Sequence, residues 1–99
     1  MPLISRDNDL ARTGHTCTFT VPVQATQGSV FVNNIPLLRR GDPCKPHFIR
    51  RGLFCVGHRA KVNRGSNTVF AENIPVARRG DSTDFGKLIR SSFNVHAGG

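Results

Sequence analysis

Tryptophan and tyrosine are absent from this 99-residue chain, and methionine occurs once. Without the two larger amphipathic rings, a platform for stacking nucleic-acid bases is not expected. Acidic residues are scarce, six against fourteen Lys and Arg, for a formal net charge of +8. The cations are spread along the chain and not gathered on one helix, so charge alone does not define a nucleic-acid footprint. A weaker expectation from the charge is attraction to anionic lipid headgroups. No apolar run approaches the roughly 18 residues a membrane-crossing helix needs. The opening Met1-Pro2-Leu3-Ile4-Ser5-Arg6-Asp7 has no basic cap followed by an apolar stretch. That predicts no signal peptide, and a soluble chain made in the cytoplasm. The three cysteines are an odd count and fit a disulfide framework poorly. With four histidines also present, metal ligation is the better use for some of them. A chain this short is expected to be one domain, 1–99, with a limited core that often needs a staple.

An internal repeat organises the chain. Val30-Phe31-Val32-Asn33-Asn34-Ile35-Pro36-Leu37-Leu38-Arg39-Arg40-Gly41-Asp42 recurs 39 positions later as Val69-Phe70-Ala71-Glu72-Asn73-Ile74-Pro75-Val76-Ala77-Arg78-Arg79-Gly80-Asp81, with nine of thirteen positions identical. A broken copy follows: residues 91–97 echo 65–71. Near the start, Pro2-Leu3-Ile4 with Arg6 and Asp9 echoes Pro36-Leu37-Leu38 with Arg39 and Asp42. The pattern is half repeat, repeats around 30–42 and 69–81, and a closing strand over 91–98. Pairing the last strand with the first segment gives three quasi-equivalent units. In each, Val-Phe is β-prone, the Asn-containing dipeptide suits a tight turn, and Pro starts or edges the returning strand. No 3.6-residue apolar period persists, so long helices are not expected. The prediction is an all-β fold of hairpins pointing one way, with loops at the opposite end.

Those loops hold the chemistry. Between Asp9 and Val30, and between Asp42 and Val69, lie all three cysteines and three of the four histidines. The candidates are His15, Cys17, Cys44, His47, Cys55 and His58. Cys44-x-x-His47 and Cys55-x-x-His58 each put two zinc-type ligands within reach of one ion, and four such ligands make a closed, structural site. The blander alternative is that several are unliganded loop residues. His96 stands where Phe31 and Phe70 stand in the other copies, which marks it as a packing or surface residue. Three loops converging on a point bury little apolar surface, whereas a structural zinc contributes on the order of 10 kcal/mol.

The stretch 66–81, the earlier 30–36 with 39–42, and Thr13-Gly14-His15 resemble the PAAR-repeat proteins over nearly the whole chain. Its length and opening are similar to the phage-tail members of that family. The resemblance implies a small cone of three quasi-equivalent β-hairpin repeats with pseudo-threefold symmetry and a metal near the apex. It implies that one copy caps a trimeric β-helical spike, in a phage tail baseplate or on a type VI secretion spike. The ion implied is one structural metal, zinc or iron, held typically by three His and one Cys. By position His15, His47 and His58 correspond to the family's histidines. Relatives supply the Cys shortly after the third Gly-Asp, where this chain reads Ser82-Thr83-Asp84-Phe85-Gly86 without one. Cys55 is then the expected fourth ligand, with Cys44 and Cys17 as alternates. The base expected to meet the spike comprises Val30, Phe31, Val69, Phe70 and Val95, docking by strand continuation and apolar contact. The expected role is mechanical, with transient contact with the target cell's outer membrane, no nucleic-acid partner, and residence at the tail tip or on a secreted spike. A bare tip is expected, with no toxic extension after Gly99.

Other readings remain beside it. A small Cys₂His₂ zinc module binding nucleic acid is the main rival. Arg40-Gly41-Asp42 and Arg79-Gly80-Asp81 spell an adhesion tripeptide, but their equivalent repeat positions point to turn chemistry. No general base accompanies the Cys and His at recognisable spacing, so catalysis is not expected.

Overall fold

The computed structural model describes residues 2–99. Among them there is no helix. Ten short strands follow in chain order: β1 (Leu10–Arg12), β2 (Thr20–Pro22), β3 (Phe31–Val32), β4 (Ile35–Pro36), β5 (His47–Arg51), β6 (Phe54–His58), β7 (Phe70–Ala71), β8 (Ile74–Pro75), β9 (Ser82–Thr83) and β10 (Gly86–Leu88). Four make a sheet in the order β2-β1-β10-β9, and the others form the hairpins β3–β4, β5–β6 and β7–β8. The all-β expectation holds. The molecule is elongated, 42 × 24 × 22 Å.

Hairpins β3–β4 and β7–β8 are the two repeat copies. Val32 pairs with Ile35 and Ala71 with Ile74, leaving two-residue turns at Asn33-Asn34 and Glu72-Asn73. All four turn residues have positive φ, from 51° to 66°. A turn left-handed at both central positions matches the twist of the strands it joins, and Asn tolerates that geometry. The third arm has no covalent turn and is assembled from both ends of the chain. Leu3 bridges His96. Ile4 N donates to Val95 O at 2.8 Å, as Leu37 N does to Val30 O and Val76 N to Val69 O at 3.1 Å each. The N-terminal register differs by one residue from the sequence echo. Leu3, not Pro2, takes the place of Pro36 and Pro75, so Ser5 is the counterpart of Leu38 and Ala77. The fixed interval from Arg to Asp sets this alignment, because each Asp carboxylate accepts the backbone N–H of its own Arg: Arg6 to Asp9 at 2.7 Å, Arg39 to Asp42 and Arg78 to Asp81 at 2.8 Å.

Bonds between the arms run in closed rings. Ser5 N donates to Ala77 O (3.1 Å), Ala77 N to Leu38 O (2.9 Å) and Leu38 N to Ser5 O (3.0 Å). A second ring joins Asp7 N to Pro36 O (2.7 Å), Arg40 N to Pro75 O (2.8 Å) and Arg79 N to Leu3 O (2.8 Å). Each arm thereby gives its edge to the next, which blunts the tendency of short strands to pair elsewhere. The chain then turns at Asn8, Gly41 and Gly80, with φ of 68°, 93° and 94°. Asp42 and Asp81 are buried, and Arg78 clasps Asp81 through Nε and Nη2 at 3.1 and 3.0 Å. The two Arg-Gly-Asp triplets are internal turn chemistry, and their carboxylates are not offered to an adhesion partner.

Two apolar clusters fill the interior. Ile4, Leu37, Val76, Val32, Ala71 and Ala97 form one, and Leu38, Ala77, Ala11, Cys44, Val21, Val23, Val62 and Leu88 form the other. In each arm the chain passes the first cluster, then the ring, then the second cluster, and only then enters its loop. The loops therefore leave the core together. No buried apolar side chain lies in the stretches that carry His15, His47 and His58, so those stretches need another fastening.

Candidate metal centre

The three loops bring four side chains to one place. His15 follows β1. His47 opens β5 and His58 closes β6, directly opposite each other in the hairpin, which puts both rings on one face. Asp84 is the first residue of the two-residue turn joining β9 to β10, with Thr83 paired to Gly86. The ligand atoms of these four residues lie within 4.8 Å of one another. Asp84 Oδ2 is 2.7 Å from His15 Nε2 and 2.8 Å from His47 Nε2, and its Oδ1 is 3.0 Å from His58 Nε2. The side chains of His47 and Asp84 are almost fully enclosed, and that of His58 is the most open at 21 %.

Close backbone packing fixes this arrangement. The loop carrying His15 lies against the hairpin carrying Asp84, with Phe85 N donating to Thr13 O at 3.0 Å. A Cβ on Gly86 would run into the Arg12 carbonyl, and one on Gly14, at φ 76°, into the Phe85 carbonyl. Only glycine permits that approach. The buried Thr13 hydroxyl adds a contact to His15 O at 3.0 Å.

Proton accounting favours a cation at the centre. His15 Nδ1 lies 3.1 Å from Thr16 O, and His47 Nδ1 lies 2.9 Å from Lys45 O. A carbonyl only accepts, so each Nδ1 carries the proton and each Nε2 presents its lone pair in the neutral ring. These two Nε2 atoms face each other at 3.3 Å. Two lone pairs at that distance repel unless something positive lies between them. A metal ion would meet both, together with His58 and the Asp84 carboxylate, and the carbonyl bonds behind the rings are the usual orienting partners of metal-bound imidazole. Three imidazoles and a carboxylate are a zinc-type donor set. Where protons take the place of an ion on the imidazoles, burial pushes the Asp84 carboxyl up, but the bonds that His58, His15 and His47 then donate and the charge of His15 outweigh this and hold it below its ordinary value.

The cysteines lie elsewhere, which corrects the expected ligand set. Cys55 and Cys17 form a disulfide with Cα atoms 6.0 Å apart, so neither offers a thiolate. The odd count conceals one bridge and one free thiol. Cys44 is buried in the second cluster, at the position that Ala11 and Thr83 fill in the other arms, and lies 3.2 Å from Thr83 Oγ1. Burial, the largest effect, pushes its thiol pKa up; the Thr83 bond pulls back and the Asp84 charge adds to the rise. A Cys₂His₂ module is thus not formed. Asp84 lies outside the Cys and His candidates of the sequence. The signal the sequence offers is its place, three residues after Asp81 of Gly80-Asp81, where the PAAR resemblance implies a Cys. His96 is exposed at the arm, away from the site.

Of the base residues, Phe31 and Phe70 are 52 % and 54 % exposed and Val69 is 37 %. Val30 and Val95 instead pack partly against the first cluster.

An all-β chain with ring-bonded arms and, at its loops, a histidine-carboxylate group that could hold a metal ion defines a small domain built on a repeat. The PAAR motif family model matches residues 13–91, and the chain belongs to that family. The family is associated with spike-tip proteins of contractile injection systems and is structural, not enzymatic. No curated protein matches the chain.

Proposed function

We propose that the protein is the terminal tip of the central spike in a contractile injection machine. It caps a trimeric β-helical spike with its arms, and its loop end leads into the target envelope. The observation that carries this is the cyclic bonding of the three arms: a three-chain partner presents three equivalent ends, and three arms bonded in a ring can meet them in one rigid docking. The exposed Phe31 and Phe70 at matching positions supply the apolar contact. One copy serves each spike. The protein is made in the cytoplasm and resides at the tail baseplate tip or on a secreted spike. The centre takes one structural ion, zinc or iron, which ties the loops so that the leading end resists unravelling under load. The test is co-purification with the trimeric spike protein of the same machine. The wild type is expected to remain bound through gel filtration and Phe31→Asp/Phe70→Asp to separate from it. Retention of the double variant at wild-type affinity would sink the reading.

A further inference from the structure

Beyond the metal centre the β5–β6 hairpin continues outward without apolar cover. Its turn is Gly52-Leu53, and Leu53 is 89 % exposed. Directly opposite pairs share a face, so Ile49 with Val56 and Arg51 with Phe54 continue the face that begins with His47 and His58. Phe54 is 72 % exposed; on the opposite face Phe48 is 55 %. Phe85, beside Asp84, is 72 % exposed, and Phe19 on the first loop 67 %. Soluble chains seldom leave so many large apolar side chains together in water without a partner.

Charge identifies the partner. From residue 43 to 71 the chain has six Lys and Arg and no Asp or Glu. Arg50 and Arg51 stand at the hairpin end and Arg59 just after β6. Apolar side chains at a protruding tip, flanked by cations, suit the boundary between acyl chains and anionic headgroups. The hairpin is also stiff enough to enter as a unit. The free edge of β5 is taken by the first loop, with Arg50 N donating to Thr16 O at 2.7 Å and Thr18 N to Phe48 O at 3.1 Å, and the Cys17–Cys55 bridge ties β6 to that same loop. Depth is bounded by length. Strands of five residues fall well short of the roughly 9–11 needed to cross a bilayer, so the hairpin lodges at the interface.

We propose that the β5–β6 hairpin, with Leu53 and Phe54 foremost, is an insertion site for the interface of an anionic phospholipid bilayer. This deepens the envelope-piercing reading by naming its surface and lipid chemistry, and it is tested on the free protein, where arm docking plays no part. The experiment is vesicle flotation at fixed salt, with vesicles of phosphatidylcholine alone and of equimolar phosphatidylcholine and phosphatidylglycerol. The wild type is expected to bind the anionic vesicles at least about tenfold more tightly. Leu53→Asp/Phe54→Asp, at two exposed positions outside the core and the metal centre, should lose that binding by about tenfold or more, while Phe31→Asp/Phe70→Asp keeps it. Absence of wild-type binding overturns the proposal, as does equal binding by the hairpin variant. So does DNA binding at the same salt stronger than vesicle binding, which would assign the cations to nucleic acid.

Discussion

Asp84 reaches all three histidines with two oxygens, so losing it removes the only negative ligand and three contacts together. Replacing it with Ala is expected to weaken zinc affinity by about a hundredfold or more, since even partners one step behind a ligand cost 10- to 100-fold. Asp84→Cys should retain the ion, because a thiolate at that turn supplies the same charge to the same point. Competition titration with a chromophoric chelator measures both. Equal affinity for wild type and Asp84→Ala would place the ion elsewhere. Arg78 offers a contrast at the same scale. It is buried, paired with Asp81, and bonded by Nη1 to Gly98 O at 3.1 Å, so its charge serves the arm and not a partner.

Among the elements, the β5–β6 hairpin depends on its bridge to the first loop. Cys55→Ser is expected to lower stability by about 2–4 kcal/mol, the usual worth of a disulfide closing a loop of this order, its cysteines standing 38 positions apart in the sequence. Metal content should stay unchanged. Denaturant unfolding and elemental analysis of the same preparation separate these outcomes, and loss of metal without loss of stability would return Cys55 to the ligand set. The elements also show what the chain discloses in one dimension. The arms are legible because β-strand, turn and returning strand each have their own residue chemistry, and a repeat shows it twice. The histidines are legible because imidazole has few other reasons to cluster. The bridge is not, because an odd cysteine count carries no pairing information and the partners approach only when the first loop lies along β5. Cys44 was misleading for a related reason: a small apolar thiol suits a core position as well as Ala11 does, and only packing tells the uses apart. Asp84 reads as one more turn residue until the glycine contact at Gly86 brings its hairpin against the first loop.

At the scale of the whole molecule, apolar burial is confined to two clusters among the arms, and the loop end has the metal centre and one disulfide. Removing the ion with a chelator at neutral pH is therefore expected to lower the melting temperature by about 10 °C or more, given that 1 kcal/mol shifts a domain of this size by roughly 4–8 °C. Added zinc should restore it. Calorimetry with and without chelator decides the matter; an unchanged melting temperature in fully metal-free protein would remove the ion from the stability of the tip. The third arm has a consequence for how the chain is made. Ile4 bonds to Val95, and Ala97 N donates to Pro2 O at 3.0 Å, so residues made early and late along this stretch of the nascent polypeptide share one arm. Contacts of such long sequence separation form slowly. Until residues 95–97 have emerged from the ribosome, the other two arms wait with an open side, and the domain can lock only after that.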